Sequence, residues 1–194
     1  AGDDPLKRPA FDMKLEALIP VLNREIPLKA HAHQANDILT AIRIAKEFNL
    51  KLTLEHTTEG NLIVDELVKA GYPCAVGPSL GHATKFELQN KTWTTPGVLA
   101  KAGCQVSIIT DAPVTPQKYL SLCAAMAVRA GMEPYEALKA ITINPAKHRG
   151  IEDRVGSQEV GKDADILIFS GDPLDGISLP DQVLIDGKLI ENTS

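Results

Sequence analysis

The residues of this chain that most directly imply chemistry are two histidines two apart, in Lys29-Ala30-His31-Ala32-His33-Gln34. Side chains alternate along an extended strand, so both imidazoles leave from one face. Neutral imidazole is the commonest protein metal ligand. A same-face pair at a strand end is therefore a natural half of a metal site. Two further polar strand ends follow: Glu55-His56 after Lys51-Leu52-Thr53-Leu54, and Thr110-Asp111 after Val106-Ser107-Ile108-Ile109. Two or three histidines with the Asp111 carboxylate suit Zn2+, Mn2+ or non-haem iron. Such an ion lowers the pKa of water and polarises a carbonyl. Asp111 would then bind the metal, or carry a proton from water to a leaving group.

The other ionisable candidates have blander expected roles. Glu55, next to His56, should face the opposite side and act as a structural pairing residue. His82, in Pro78-Ser79-Leu80-Gly81-His82, either lines the mouth of a pocket or sits in solvent. His148, between Lys147 and Arg149, is expected at the surface near a helix end. The glycines and aspartates of 156–165 lack P-loop order and EF-hand spacing and read as turns.

Repeating strand and helix patterns place these residues. Helices are expected over 12–24 (Leu15, Leu18, Ile19 and Leu22 on one face), 36–48 (Leu39, Ile42, Ile44 and Phe48 packing, Asn36 or Asp37 as cap), 61–70 and 96–102. Others are expected over 117–130 and 134–142, with one more turn after Asn144-Pro145. Strands are expected over 26–33, 51–56, 73–77 and 105–110, with a long polar loop over 78–95. Thr58 looks like a helix cap and Gly71 a helix stop. Four strand–helix units in series imply a parallel sheet, either doubly wound or part of a (β/α)8 barrel. Carboxyl ends of parallel strands are where both architectures place chemistry. After Gly150 the chain turns to Gly- and Asp-rich turns, a strand run Ile166-Leu167-Ile168-Phe169 and a hairpin over 183–190 with Asp186-Gly187 at its turn. The opening residues 1–9 read as a surface loop, not the start of a domain.

Composition narrows the function class. The 194 residues are 44% hydrophobic, enough for a sizeable core, yet only 4% aromatic, so Ala, Val, Ile and Leu must fill it. The low aromatic content and a net charge of −5 argue against a nucleic-acid surface. No apolar run approaches the length of a membrane span. Cys74, Cys104 and Cys123 are widely spaced and odd in number. They read as buried core thiols in a reducing cytoplasm.

At this point the residues resemble a known family. Lys29-Ala-His-Ala-His-Gln34, Leu54-Glu-His-Thr-Thr-Glu-Gly60 and Ile109-Thr-Asp-Ala-Pro-Val114 are similar to the fifth, sixth and eighth barrel strands of the amidohydrolase superfamily, in its imidazolonepropionase-related group. Thr142-Ile-Asn-Pro-Ala-Lys147, Val155 to Phe169 and Gly171-Asp-Pro173 are similar to the segment returning from the barrel to the family's small β-sandwich.

The resemblance implies an α/β fold, a partial (β/α)8 barrel of four βα units. Residues 1–150 would be the carboxyl-terminal half of the barrel and 151–194 part of the β-sandwich. It implies metal-dependent hydrolysis of a non-peptide or cyclic C–N bond of a small-molecule amide, with a metal-activated water attacking the carbonyl. His31, His56 and Asp111 take the metal positions, with one or two ions, zinc the leading choice. His56 binds a second metal or contacts the developing oxyanion, and Asp111 moves the proton. His33, Gln34 and His82 fall to substrate contact. The family's first four strands, with their His-x-His pair, are not in this sequence, and Ala112 stands where relatives often carry a histidine. A half-barrel would expose sheet edges and an inner face, so pairing is expected: with a second copy, a separate first half or the remainder of a longer chain. The competing expectation is a catalytically silent fragment or interaction module without a complete metal site.

Overall fold

The computed structural model describes residues 9–190. Residues 1–8, most of the expected opening loop, and 191–194 lie outside the described residues. Four strands, β1 (Leu28–Ala32), β2 (Leu52–His56), β3 (Cys74–Val76) and β4 (Val106–Ile108), form one parallel sheet in the order β1-β2-β3-β4. Each new strand adds beside the last with no reversal. A doubly wound sheet reverses its order at a switch point, and this one does not.

The register explains which face is buried. Ala30, Leu54, Cys74 and Val106 lie side by side across the sheet, as do Ala32, His56, Val76 and Ile108. Most of these rows pack against the connecting helices: α3 (Ala35–Glu47), α4 (Val64–Ala70) and α5 (Thr95–Lys101) bring Ile38, Ile42, Ala45, Leu67 and Leu99 into one cluster with Leu54, Cys74, Val76 and Val106. The row between them, on the opposite face, is His31, Glu55, Ala75 and Ser107. α6 (Leu120–Arg129) and α7 (Pro134–Ile141) close the fold against Ile108 with Cys123, Ala124, Ala127, Ala137 and Ala140. Small alanine faces let these helices approach closely, as the aromatic-poor composition requires. α8 (Ile143–Arg149) develops the extra turn expected after Asn144-Pro145 and ends at left-handed Gly150.

The amino-terminal helix differs from expectation. Residues 12–24 form two single turns, α1 (Met13–Glu16) and α2 (Ile19–Leu22), because Pro20 fits only a first helical turn. Of the expected packing face, Leu15, Leu18, Ile19 and Leu22 are all exposed, and Val21 is buried instead. In α3 the buried stripe is Ile38, Ile42 and Ala45, while Leu39 and Phe48 face out. Its N-cap is Gln34, which makes no side-chain capping bond, rather than Asn36 or Asp37. The helix expected over 61–70 opens with a 3-10 turn, Gly60–Leu62, before α4.

Beyond α8, β5 (Ile166–Ile168), β6 (Gln182–Ile185) and β7 (Lys188–Leu189) form an antiparallel sheet. Asp186 and Gly187 both have positive φ at the β6–β7 turn, as the Asp-Gly signal required. All three cysteines are free; Cys74 and Cys123 are buried and Cys104 is half-buried. Burial pushes the Cys74 thiol up to about 12. Among the described residues no helix is long and apolar enough to cross a membrane.

This packing sets a contrast in stability. Leu54 is fully buried beneath the helices; Leu54→Ala should destabilise by about 2–5 kcal/mol. Phe48 is 55% exposed; Phe48→Ser should change stability by only about 0.5 kcal/mol. Urea denaturation followed by circular dichroism separates the two.

Candidate metal centre

Alternation along β1 sends Lys29 and His31 to the face opposite the helices, and His33 follows just beyond the strand end. By register, Glu55 lies beside His31 on that face, and His56 falls in the apolar row with Ala32, Val76 and Ile108. The chain overrides that alternation. His56 has φ 75° and Thr57 φ 42°, two consecutive left-handed residues at the end of β2. That conformation is rare for a β-branched residue and costs on the order of 1–3 kcal/mol per position. It brings the His56 ring to 4.3 Å from His31 and into a stack 4.4 Å from His33, centroid to centroid. Glu55 therefore does not oppose the site, as simple alternation predicted. It shares the His31 face.

Each ring has a defined partner. His56 Nδ1 lies 2.7 Å from the Gly77 carbonyl oxygen, which can only accept, so Nδ1 carries the proton and Nε2 keeps a lone pair. Gly77 itself has φ 140°, and an added Cβ would collide with the Ile109 carbonyl oxygen, so only glycine serves there. His33 Nδ1 meets Thr58 Oγ1 at 2.7 Å, which gives Thr58 a side-chain partner in place of the expected helix cap. The ligand atoms of His31, His33 and His56 all lie within 4.8 Å of one another. His33 is buried, and its pKa is pushed down to about 4, first by burial, then by the charge of His56 and His31, against the opposing pull of Glu87. A ring held neutral at ordinary pH offers a lone pair, as ligation requires.

Asp111 follows β4 by three residues, in a left-handed conformation (φ 51°), and is exposed. It stands outside the three-histidine group but lines the same cleft of about 460 Å³, together with His31, His56, Glu55 and Ser107. Gln34 is half-buried at the start of α3. His82 is exposed and does not line the cleft. From the same loop Glu87 approaches instead, 3.8 Å from His33 Nε2.

Sequence reasoning missed two features. Glu87 carried no signal beyond its place in a polar loop. His148, expected at the surface, is 7% exposed, and its Nε2 lies 2.8 Å from Glu55 Oε1. Lys29 Nζ and Thr53 Oγ1 reach the same oxygen at 3.1 and 2.8 Å. Burial alone would raise the Glu55 carboxyl, but the hydrogen bond and charge of His148, with Thr53 and Lys29, outweigh it and hold it at about 2. The structural pairing role expected of Glu55 thus has partners, one of them 93 residues away in sequence.

Comparison with known proteins agrees with this architecture. The amidohydrolase family model matches residues 24–190, and the chain belongs to that family. It is 28% identical over 180 residues to amidohydrolase tasK of Hapsidospora irregularis, covering 91% of this chain and 18% of the relative. It is 27% identical over 191 residues to imidazolonepropionase of Treponema denticola, covering 93% of this chain and 41% of the relative. Among solved structures, an amidohydrolase from Thermotoga maritima superposes with a TM-score of 0.88 at 43% identity, over 95% of this chain and 48% of that one. The chain thus spans less than half the length of each of these relatives.

The His33 environment predicts an acid-sensitive fold. The unfolded chain takes up this proton near 6.5, but the folded state resists it down to about 4. Stability from this ring is therefore full above pH 6.5 and falls as the pH drops toward 4, by at most about 3 kcal/mol. Urea titrations of chelator-treated protein at pH 5 and 7 should show a smaller pH difference in His33→Asn than in wild type.

Proposed function

We propose that this chain supplies the carboxyl-terminal half of a (β/α)8 amidohydrolase barrel, residues 1–150, with part of a small β-sandwich, residues 151–194. In this reading the assembled protein hydrolyses a non-peptide or cyclic C–N bond of a small-molecule amide with the help of a divalent cation. The observation that carries the reading is the convergence of His31, His33 and His56 from the ends of two neighbouring strands, with Asp111 on the cleft that His31 and His56 line. The unreversed strand order supports the barrel, since strands added in one direction curve toward closure and leave their helices on one face. Among the described residues no strand pairs with the outer side of β1 or β4, which supports completion by further strands, from a second copy, a separate first half or more of the same chain.

The donor set fits a borderline cation. Three imidazole nitrogens gathered within 4.8 Å, one of them on a ring kept neutral by burial, suit Zn2+. His31, His33 and His56 would hold the ion, which when bound supplies Lewis acidity at a carbonyl and lowers the pKa of water. The rest is the work of the chain. Gly77 and Thr58 fix the orientation of the His56 and His33 rings, as outer partners of ligands do. The Asp111 carboxylate, exposed on the cleft wall, accepts a proton from the attacking water and returns it to the leaving nitrogen. Gln34, at the strand end beyond His33, is placed to meet the substrate.

Metal analysis of the purified full-length protein tests the reading. It should carry one or two equivalents of a divalent ion, chiefly zinc, and lose C–N hydrolysis on chelation. His56→Ala should lose metal. Asp111→Asn should keep most of the metal and lower kcat by about 10²–10⁴-fold. A protein without stoichiometric metal, indifferent to both substitutions, is instead the silent module.

A further inference from the structure

We propose that Glu59 is the positioning residue of this centre, gripping the backbone on both sides of Gln34 and tying the 85–90 segment over the histidines. The inference rests on the reading of His31, His33 and His56 as a metal centre. It begins from an uncapped helix. Gln34, the N-cap of α3, makes no capping bond, and the candidate caps Asn36 and Asp37 lie inside the helix. The missing acceptor comes from another strand's loop: Glu59 Oε2 accepts the Ala35 N–H at 2.8 Å. The Glu59 backbone N–H donates to the His33 carbonyl at 2.9 Å. One residue thus holds the chain at His33 and again at Ala35, while its neighbour Thr58 holds the His33 ring.

The other carboxyl oxygen reaches elsewhere. Glu59 Oε1 accepts from Asn90 Nδ2 at 2.7 Å. Asn90 follows the 3-10 turn Phe86–Leu88, which carries Glu87 to 3.8 Å from His33 Nε2. Glu59 is 7% exposed, and both oxygens are bonded, as burial of a carboxyl group demands. A helix cap alone would need one of these bonds; the second links the cap to the loop nearest the site. The segment also requires glycine beside Glu59. A Cβ at Gly60 would meet Thr57 Cγ2 at 2.8 Å and Leu99 Cδ1 at 3.1 Å.

The test uses the full-length protein with Glu59→Ala, Glu59→Gln, Asn90→Ala and, as a stability control in the other hydrophobic cluster, Met132→Ala. Three properties are read: Co2+ affinity by chelator competition, the visible spectrum of bound Co2+, and limited proteolysis within 78–95 of the metal-free protein. Glu59→Ala should weaken Co2+ binding about 10–100-fold, shift the Co2+ bands and speed cleavage of the loop. Glu59→Gln, whose amide accepts from Ala35 and donates to a turned Asn90 side chain, should stay within about threefold of wild type, since it keeps both hydrogen bonds. Asn90→Ala should free the loop and keep the affinity. If Glu59→Ala does not fold, Glu59→Asp, one methylene shorter, carries the comparison. Wild-type affinity and cleavage in the Glu59 variants overturn the proposal, as does an equal loss of affinity in Met132→Ala. A wild-type protein that binds no metal defeats the metal reading by itself; the proteolysis arm then decides the hold of Glu59 on the loop.

Discussion

The left-handed step at His56-Thr57 is the constraint on which the centre depends. A parallel strand offers its two faces in strict alternation, and the register places His56 in an apolar row beside Ala32, Val76 and Ile108. Two residues of positive φ end that alternation and deliver the ring to His31 and His33. Strained backbone persists only where its surroundings over-determine it. Here the Thr57 N–H bonds the Ala32 carbonyl, His56 Nδ1 bonds the Gly77 carbonyl, and the Thr57 methyl fills the space that a side chain at Gly60 would need. The strain at β2 is thus held by β1 on one side and the end of β3 on the other.

The polar face of the sheet is organised by charge as much as by shape. Glu55 is surrounded by Lys29, Thr53 and His148, and its depressed pKa follows from those partners overcoming burial. Such a pair contributes through its geometry, because removing His148 takes a partner from the half-buried Glu55 carboxylate. It also joins α8 to β2 across the cleft that Asp111 lines. The same segment that ends β2 therefore carries two functions in adjacent residues: Glu55 anchors the last helix, and His56 turns into the metal group. Glu59, three residues on, extends the pattern to the 78–95 loop.

Much of this was legible in the residues themselves. Four strands and their helices follow from apolar runs separated by Gly, Pro and Asn, and the Asp186-Gly187 turn follows from the only backbone conformation that pair favours. His31 and His33 sharing a face is a consequence of period two alone. The failures have equally local causes. The amphipathic pattern of 12–24 is real, yet Pro20 breaks its hydrogen-bond ladder and leaves the apolar stripe exposed. In α3 the pattern admitted two stripes one residue apart, and burial against Leu52 and Leu54 selected the one through Ile38 and Ile42.

The sequence by itself determined the types of side chain at each strand end and the spacing that brings strand ends into one row, because hydrogen bonding and side-chain alternation act over a few neighbouring residues. Only the tertiary structure decided which of those side chains meet. The turning of His56 against its own alternation, the burial of His148 on Glu55 and the approach of Glu87 to His33 all depend on segments distant along the chain. Their energies come from desolvation and from bonds across the sheet, and neither exists until the strands are side by side.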